Sequence, residues 1–431
     1  MGEEEPKELK RSLGLWSATA INVGAIIGGG IFVVTGIVAG LAGSALVVSM
    51  VIAGVIAVFT ALSFAELTAW QPVEGSVYEY ACQLVSPFSG FLAGWMWMLS
   101  NTFAGAAVSL GFAYYFTGIF PELPVGLVAA VLCLVFAAVN FVGIKQSAFF
   151  NNFLVVVKLA VLGFFVVFGL LFVDSANFVP FSPFSSGVFY GSVFIFFAYG
   201  GFGRIAVVAE EVKDAKRVVP KAILLSLAIS TIVYILVGVV AVGVAGSASL
   251  AGAKDPLTVA IGASGSSLAM RIVSVGGLVA TASVLLTSVL GVSRMAFAMS
   301  RRRDMPEALS RLHWRFGTPY LAIGVAGVLM AVLVLFVDLE QVVVISTFAI
   351  LFYYVLANLA AYRLNCKNRR YPRLVPALGL VTCLVLLVFT LFAQTQAWVI
   401  GVAGLAVGAV YYFVRKKTSG VRIGNSCQRK T

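Results

Sequence analysis

The stretch Gly24-Ala25-Ile26-Ile27-Gly28-Gly29-Gly30-Ile31-Phe32 decides how this chain folds. It lies inside an apolar segment from about Leu13 to Leu41. That is longer than the ~20 residues a helix needs to cross a bilayer. Yet four of the seven residues from Gly24 to Gly30 are glycine. Each weakens a helix interior by about 0.5–1 kcal/mol relative to alanine, so three in a row make a break in mid-span. Non-helical backbone at membrane depth survives only where protein covers it or it lines a wet cavity. Two readings stand side by side. The glycines serve close helix packing, or the helix is discontinuous and its bare N–H and C=O groups hold a solute.

The composition places this break in a membrane protein. Of 431 residues, 61% are hydrophobic and 11% charged, and the mean hydropathy is +1.04. No ordinary soluble chain of this length has such a balance. The first residues are charged and polar, and the span after them lacks a small-residue cleavage site, so no removable signal peptide is expected. The five cysteines are scattered without a CxxC pair, which points to neither a disulfide framework nor a metal site. The single histidine, His313, falls in a basic loop. Histidine catalysis and histidine-ligated metals are therefore not expected, and neither is a cofactor.

Outward from the break, apolar stretches separated by polar punctuation predict twelve spans. They cover roughly 13–41, 44–70, 87–117, 124–143, 147–173, 184–212, 219–246, 267–300, 318–337, 340–363, 374–393 and 396–414. With the N-terminus in the cytoplasm, twenty-four Lys and Arg residues fall in cytoplasmic segments, against Lys254 and Arg271 outside. That asymmetry predicts both termini inside a cell membrane. It also accounts for the net charge of +12 without a nucleic-acid partner. The connection Gln71 to Ser86 is the exception, with Glu74, Glu79 and no basic residue. It reads as an amphipathic segment at the membrane surface or folded back on the bundle.

Span six repeats the opening feature in Phe196-Phe197-Ala198-Tyr199-Gly200-Gly201-Phe202-Gly203-Arg204. Spans one and six each begin a block of five, and an odd number of spans inverts the second block. Gly-interrupted spans at matching positions point to a midplane site in an inverted-repeat transporter. The expected fold is an all-α integral membrane protein of twelve transmembrane helices. It has a leucine-transporter-type 5+5 inverted repeat, broken helices 1 and 6, and two extra helices. The expected division is a cytoplasmic tail at 1–12, repeats at 13–173 and 184–363, helices eleven and twelve at 374–414, and a basic cytoplasmic tail at 415–431.

The sequence Gly24 to Phe32 resembles the first-helix signature of the amino acid–polyamine–organocation transporter superfamily. Phe196 to Phe202 resembles its sixth helix, and Ala209-Glu210-Glu211-Val212-Lys213-Asp214-Ala215-Lys216-Arg217-Val218-Val219-Pro220 the cytoplasmic exit of that helix. Pro72-Val73-Glu74-Gly75-Ser76-Val77-Tyr78-Glu79-Tyr80 is similar to the loop after span two, although the usual pair of small residues before the aromatic is altered. The likeness runs from span one to span ten. It is nearest to archaeal and bacterial proton-coupled amino acid transporters of broad specificity.

A broken helix exposes N–H groups at one new end and carbonyls at the other, which suits the carboxylate and ammonium of an amino acid. The resemblance implies that the Gly29 and Gly30 N–H groups take the carboxylate. It implies that the Ile26 carbonyl and the Phe197 and Gly200 carbonyls take the ammonium, and that Phe197 covers the substrate. Its ordinary alternative is a packing role. The side chains near the breaks are mostly apolar (Ile26, Ile27, Phe197 and Phe202) and no acid stands among them, which favours neutral amino acids. Arg204, where relatives more often carry an uncharged residue, faces an aqueous pathway or binds a carboxylate.

Lys158 stands in mid-span, about 16 Å from Ser147 and about 22 Å from Val173 at ~1.5 Å per residue, too deep for its stem to snorkel fully. A charge at that depth is a functional candidate by default, with a helix-to-helix pairing as the alternative. Desolvation penalises the charged form of a buried amine, so such a group can give and take a proton. The resemblance implies that the Lys158 ammonium replaces the sodium ion of sodium-coupled relatives, with Ser283 and the Val23 carbonyl as partners. Arg294 lies near the cytoplasmic end of span eight, where snorkelling suffices. The expected activity is proton-coupled uptake of amino acids, neutral and of broad specificity, by alternating access through the lipid bilayer. The alternatives are an amino acid exchanger without net proton coupling and a non-transporting sensor. No HExxH, His/Cys cluster or polar triad occurs within the spans, so an enzyme is not expected.

Overall fold

Inside a bilayer, a chain this apolar satisfies its backbone by forming helices. In the structure, a computed structural model describing residues 11–28, 30–73, 75–366 and 369–418, helices make up every long element. They are α1 (Leu15–Ile26), α2 (Thr35–Ala42), α3 (Leu46–Trp70), α4 (Val77–Leu84), α5 (Pro87–Ile119), α6 (Val125–Val142), α7 (Ile144–Gly169) and α8 (Ser186–Tyr199). There follow α9 (Arg204–Val207), α10 (Ala215–Leu250), α11 (Pro256–Gly262), α12 (Ser267–Arg301), α13 (Tyr320–Leu333), α14 (Leu339–Arg363), α15 (Leu374–Ala393) and α16 (Thr395–Thr418). Each of the twelve expected apolar stretches overlaps at least one of these helices. By length and hydropathy alone, eight described stretches can cross a membrane, the first taking Leu15–Trp70 as one unit, while α8 and α13 are shorter apolar helices.

The core is built by packing between distant parts of the chain. α5 lies against α12 and α14, α3 against α10 and α8, α13 against α6, and α1 against α10 and α7. The opposite faces carry exposed Val55, Leu127, Val131, Phe153, Val156, Leu384, Val388 and Phe413. Apolar surface on that scale is stable only against lipid or another protein.

Both glycine-rich stretches interrupt their helices. α1 stops at Ile26, Ile27 turns extended (ψ 107°), and the chain re-enters through a π-helical turn at Gly30–Val34 before α2. α8 stops at Tyr199, three turn residues follow Gly200, and α9 begins at Arg204. The breaks touch. A Cβ on Gly30 would collide with Ala198, and one on Gly201 would strike the backbone of Ala25 and Ile26. At these two positions glycine is required by close approach rather than by torsion.

The segment after α3 is folded back on the bundle rather than laid on a membrane surface. Residues Val77 to Cys82 of α4 are buried, and α4 packs on α5 and α14. Pro256 opens the short helix α11 between α10 and α12. Cys133, Cys366 and Cys383 are free thiols.

Candidate functional site

The breaks expose carbonyls that need donors, and tyrosines from three other helices supply them. Tyr234 of α10 donates its hydroxyl to the Ile26 carbonyl at 2.6 Å and lies 3.1 Å from the Ala198 carbonyl, so one side chain bridges both breaks. Tyr354 of α14 donates to the Gly200 carbonyl at 3.0 Å, and Tyr115 of α5 to the Phe32 carbonyl at 2.8 Å. Asn22 of α1 accepts from the Ile205 N–H of α9 at 2.9 Å. Each carbonyl has a second lone pair, so the Ile26 and Gly200 oxygens can still accept from a ligand.

Ile26, Gly30, Phe197 and Gly200 line one cavity between the breaks, together with Ser100, Asn101, Arg204, Val284 and Ile350. Gly29 lies outside the described residues. The cavity measures only about 20 Å³. A single water needs at least ~10–15 Å³, so an amino acid enters only if the broken segments part. The Phe197 carbonyl accepts from the Gly200 N–H at 3.1 Å, closing the last turn of α8. A second cavity of about 1010 Å³ opens beside α2 and α8, walled by Tyr114, Tyr190, Phe194, Lys254, Asp338 and Glu340.

Lys158 of α7 is fully buried and reaches the first break. Its Nζ donates to the Gly24 carbonyl at 3.2 Å, to Ser283 Oγ of α12 at 2.6 Å, and to the Ile27 carbonyl. Ser283 Oγ also lies 3.2 Å from the Gly24 carbonyl and 2.8 Å from the Ala280 carbonyl. An ammonium has three N–H donors and three acceptors meet it here; a neutral amine keeps two donors and a lone pair, so one of the three donations is lost or replaced by donation from Ser283. None of the three is a carboxylate. The Val23 carbonyl instead accepts from the Ile27 N–H at 2.9 Å within the last turn of α1, and the carbonyls beside Lys158 lie one and four residues further on.

Arg294 does not snorkel. Its side chain is 2% exposed and pairs with Glu211, itself 1% exposed, at 3.0 Å. Beyond this pair lies a layer of charge. Tyr78 donates to Asp304 at 2.6 Å, Arg302 forks onto both oxygens of Glu79, and Arg301 approaches Glu210 at 3.4 Å. Burial raises the Glu79 carboxyl above its ordinary value, with Arg302 opposing. It raises Asp304 as well, opposed by the Tyr78 hydrogen bond and by Arg302, and it raises Tyr78.

Sequence reading singled out the break residues, Lys158 and Ser283. It missed Tyr115, Tyr234, Tyr354 and Asn22. Their only signal was a polar group inside an apolar span, which fourteen tyrosines make too common to act on.

Comparison with known proteins agrees with the likeness at the breaks. The chain is 36% identical to an uncharacterized transporter of Mycobacterium tuberculosis, covering 95% of this chain and 92% of that protein. It is 33% identical to a branched-chain amino acid permease of Bacillus subtilis, over 95% and 93% of the two chains. It is 31% identical to a methylthioribose transporter of the same organism, over 96% and 95%. Residues 13–414 match the amino acid permease family. This chain, a multi-pass membrane protein, belongs to the amino acid permease family within the amino acid–polyamine–organocation superfamily.

Proposed function

We propose that this protein takes up amino acids together with protons by alternating access across the cell membrane. The observation that carries the reading is Lys158, whose amine joins the first break to Ser283 through three uncharged acceptors. Protonated, it ties α7, α12 and the end of α1 together. Once deprotonated, it loses one of these three donations and its charge, and loosens the break next to the substrate cavity. A bound cation is thus replaced by one that leaves as a proton.

In this reading the twelve spans form a 5+5 inverted repeat with both termini in the cytoplasm. Packing supports it, because four of the five matching pairs of spans meet: α2 with α8, α3 with α10, α5 with α12, and α6 with α13. The larger cavity is the outer vestibule, and the charged layer around α4 and Arg302 closes the inner end. The Gly30 N–H and the carbonyls of Ile26, Phe197 and Gly200 hold the backbone of the substrate, with Phe197 as a cover. Apolar Val284 and Ile350 favour neutral side chains, as does the likeness to the branched-chain permease.

Uptake of a labelled amino-acid panel into proteoliposomes, with and without an inward proton gradient, tests this. Acceleration by the gradient is expected. Uptake that needs internal amino acid and ignores the gradient would mean exchange, and binding without uptake would mean a sensor.

A further inference from the structure

Arg204 opens α9 immediately after the second break and is 5% exposed. It lines the same cavity as Ile26, Gly30, Phe197 and Gly200. All its hydrogen-bond partners are neutral. Nη2 donates to Asn101 Oδ1 at 2.5 Å, and Nη1 to Thr287 Oγ1 at 2.7 Å and the Val284 carbonyl at 3.4 Å. Its Nε–H is buried and has no partner among the described residues. Among the described residues, the carboxylates in ion pairs (Glu79, Glu210, Glu211 and Glu307) serve other arginines.

A desolvated guanidinium is strongly disfavoured without a compensating anion, and a donor left unpaired adds to the cost. Lys158 also lacks an anion, but three acceptors use its three hydrogens, so no donor is left over. Asn101 and Thr287 hold the Arg204 fork in place but leave its charge uncompensated and one N–H free. The guanidinium matches a carboxylate in shape and charge. Position adds the rest: the group beside the substrate cradle is a side-chain subsite rather than part of a remote network. We propose that Arg204 is an anion subsite of the substrate cavity, taking the side-chain carboxylate of an acidic amino acid while the breaks hold its α-amino and α-carboxyl groups. The same charge works against cationic side chains. This inference rests on the amino acid uptake proposed above and extends it from neutral to acidic substrates.

The probes are L-glutamate and its neutral isostere L-glutamine, with L-leucine as a third. On the purified protein, glutamate is expected to raise the melting temperature, and in proteoliposomes it is expected to be taken up. In Arg204→Gln the affinity for glutamate should fall about 30-fold or more relative to glutamine, the cost of truncating one partner of a buried charge pair. Arg204→Lys, which keeps the charge but not the fork, should recover part of that ratio. Equal losses for glutamate, glutamine and leucine in Arg204→Gln would overturn the proposal, since Arg204 would then serve the α-carboxylate or the fold. Wild-type protein that binds glutamine or leucine but not glutamate would also overturn it, without needing any variant, and would leave amino acid uptake standing. If no amino acid is recognised, both readings fall.

Discussion

Lys158 and Arg294 are both cations buried in the helical bundle, and the protein treats them in opposite ways. Lys158 meets two backbone carbonyls and a hydroxyl. Arg294 meets the Glu211 carboxylate at 3.0 Å. A carboxylate fixes a buried cation, because removing either partner strands a charge in low dielectric. Carbonyls and a hydroxyl stabilise the charged form but leave no stranded anion when the proton departs. The difference separates a place where charge is permanent from one where it can change. It also divides the molecule: α9 to Glu211, with the end of α12, is pinned, while the first break is held by a group that can let go.

The largest effect should come from breaking the pinned pair. Glu211→Ala leaves Arg294 buried and unpaired, and is expected to cost about 3–5 kcal/mol of stability. Melting in detergent measures this. Glu211→Ala combined with Arg294→Ala should recover much of the loss, and additive losses would mean that the two do not act as a pair. The next effect is at the bridge between the breaks. Tyr234→Phe removes the donor to the Ile26 carbonyl and should cost about 1–3 kcal/mol, the penalty of an unsatisfied buried group. Uptake should slow with it. Unchanged melting and uptake would show that the Ile26 carbonyl finds another donor.

The smallest effect sharpens the comparison at the charged layer. Burial raises Glu79 and Asp304 above their ordinary values, so the folded protein binds protons there more tightly than the unfolded chain. The stabilisation from this is complete below the ordinary carboxylate pKa, about 4. It is lost as pH rises through the raised values. The melting temperature of Glu79→Gln measured from pH 4 to 7 should therefore fall less steeply with pH than that of the wild type. An identical slope would remove Glu79 from the linkage.

Much of this was legible in the sequence because membrane physics leaves few alternatives. Each apolar stretch had to be helical, and glycines in mid-span had to be breaks or contacts. Gly30 and Gly201 turn out to combine the two, since each lies against the opposite break. Lys158 stood out because lysine at that depth is expensive. The partners of the breaks were not legible. Tyr234 lies 208 residues from Ile26, and only the fold brings them together. Arg294 looked close enough to water to snorkel, because its pairing with Glu211 depends on how α9 meets α12. The charged layer was half legible: the acidic segment around Glu79 was visibly anomalous, but its arginine partner stands 223 residues away.

The central claim is that the Lys158 amine couples proton movement to substrate movement. The direct test measures amino acid uptake into proteoliposomes as a function of an imposed pH gradient, for wild-type protein and for Lys158→Ala. Wild-type uptake should rise with the inward proton gradient, and Lys158→Ala uptake should show no dependence on it. A Lys158→Ala protein that responds to the gradient as the wild type does would contradict the account.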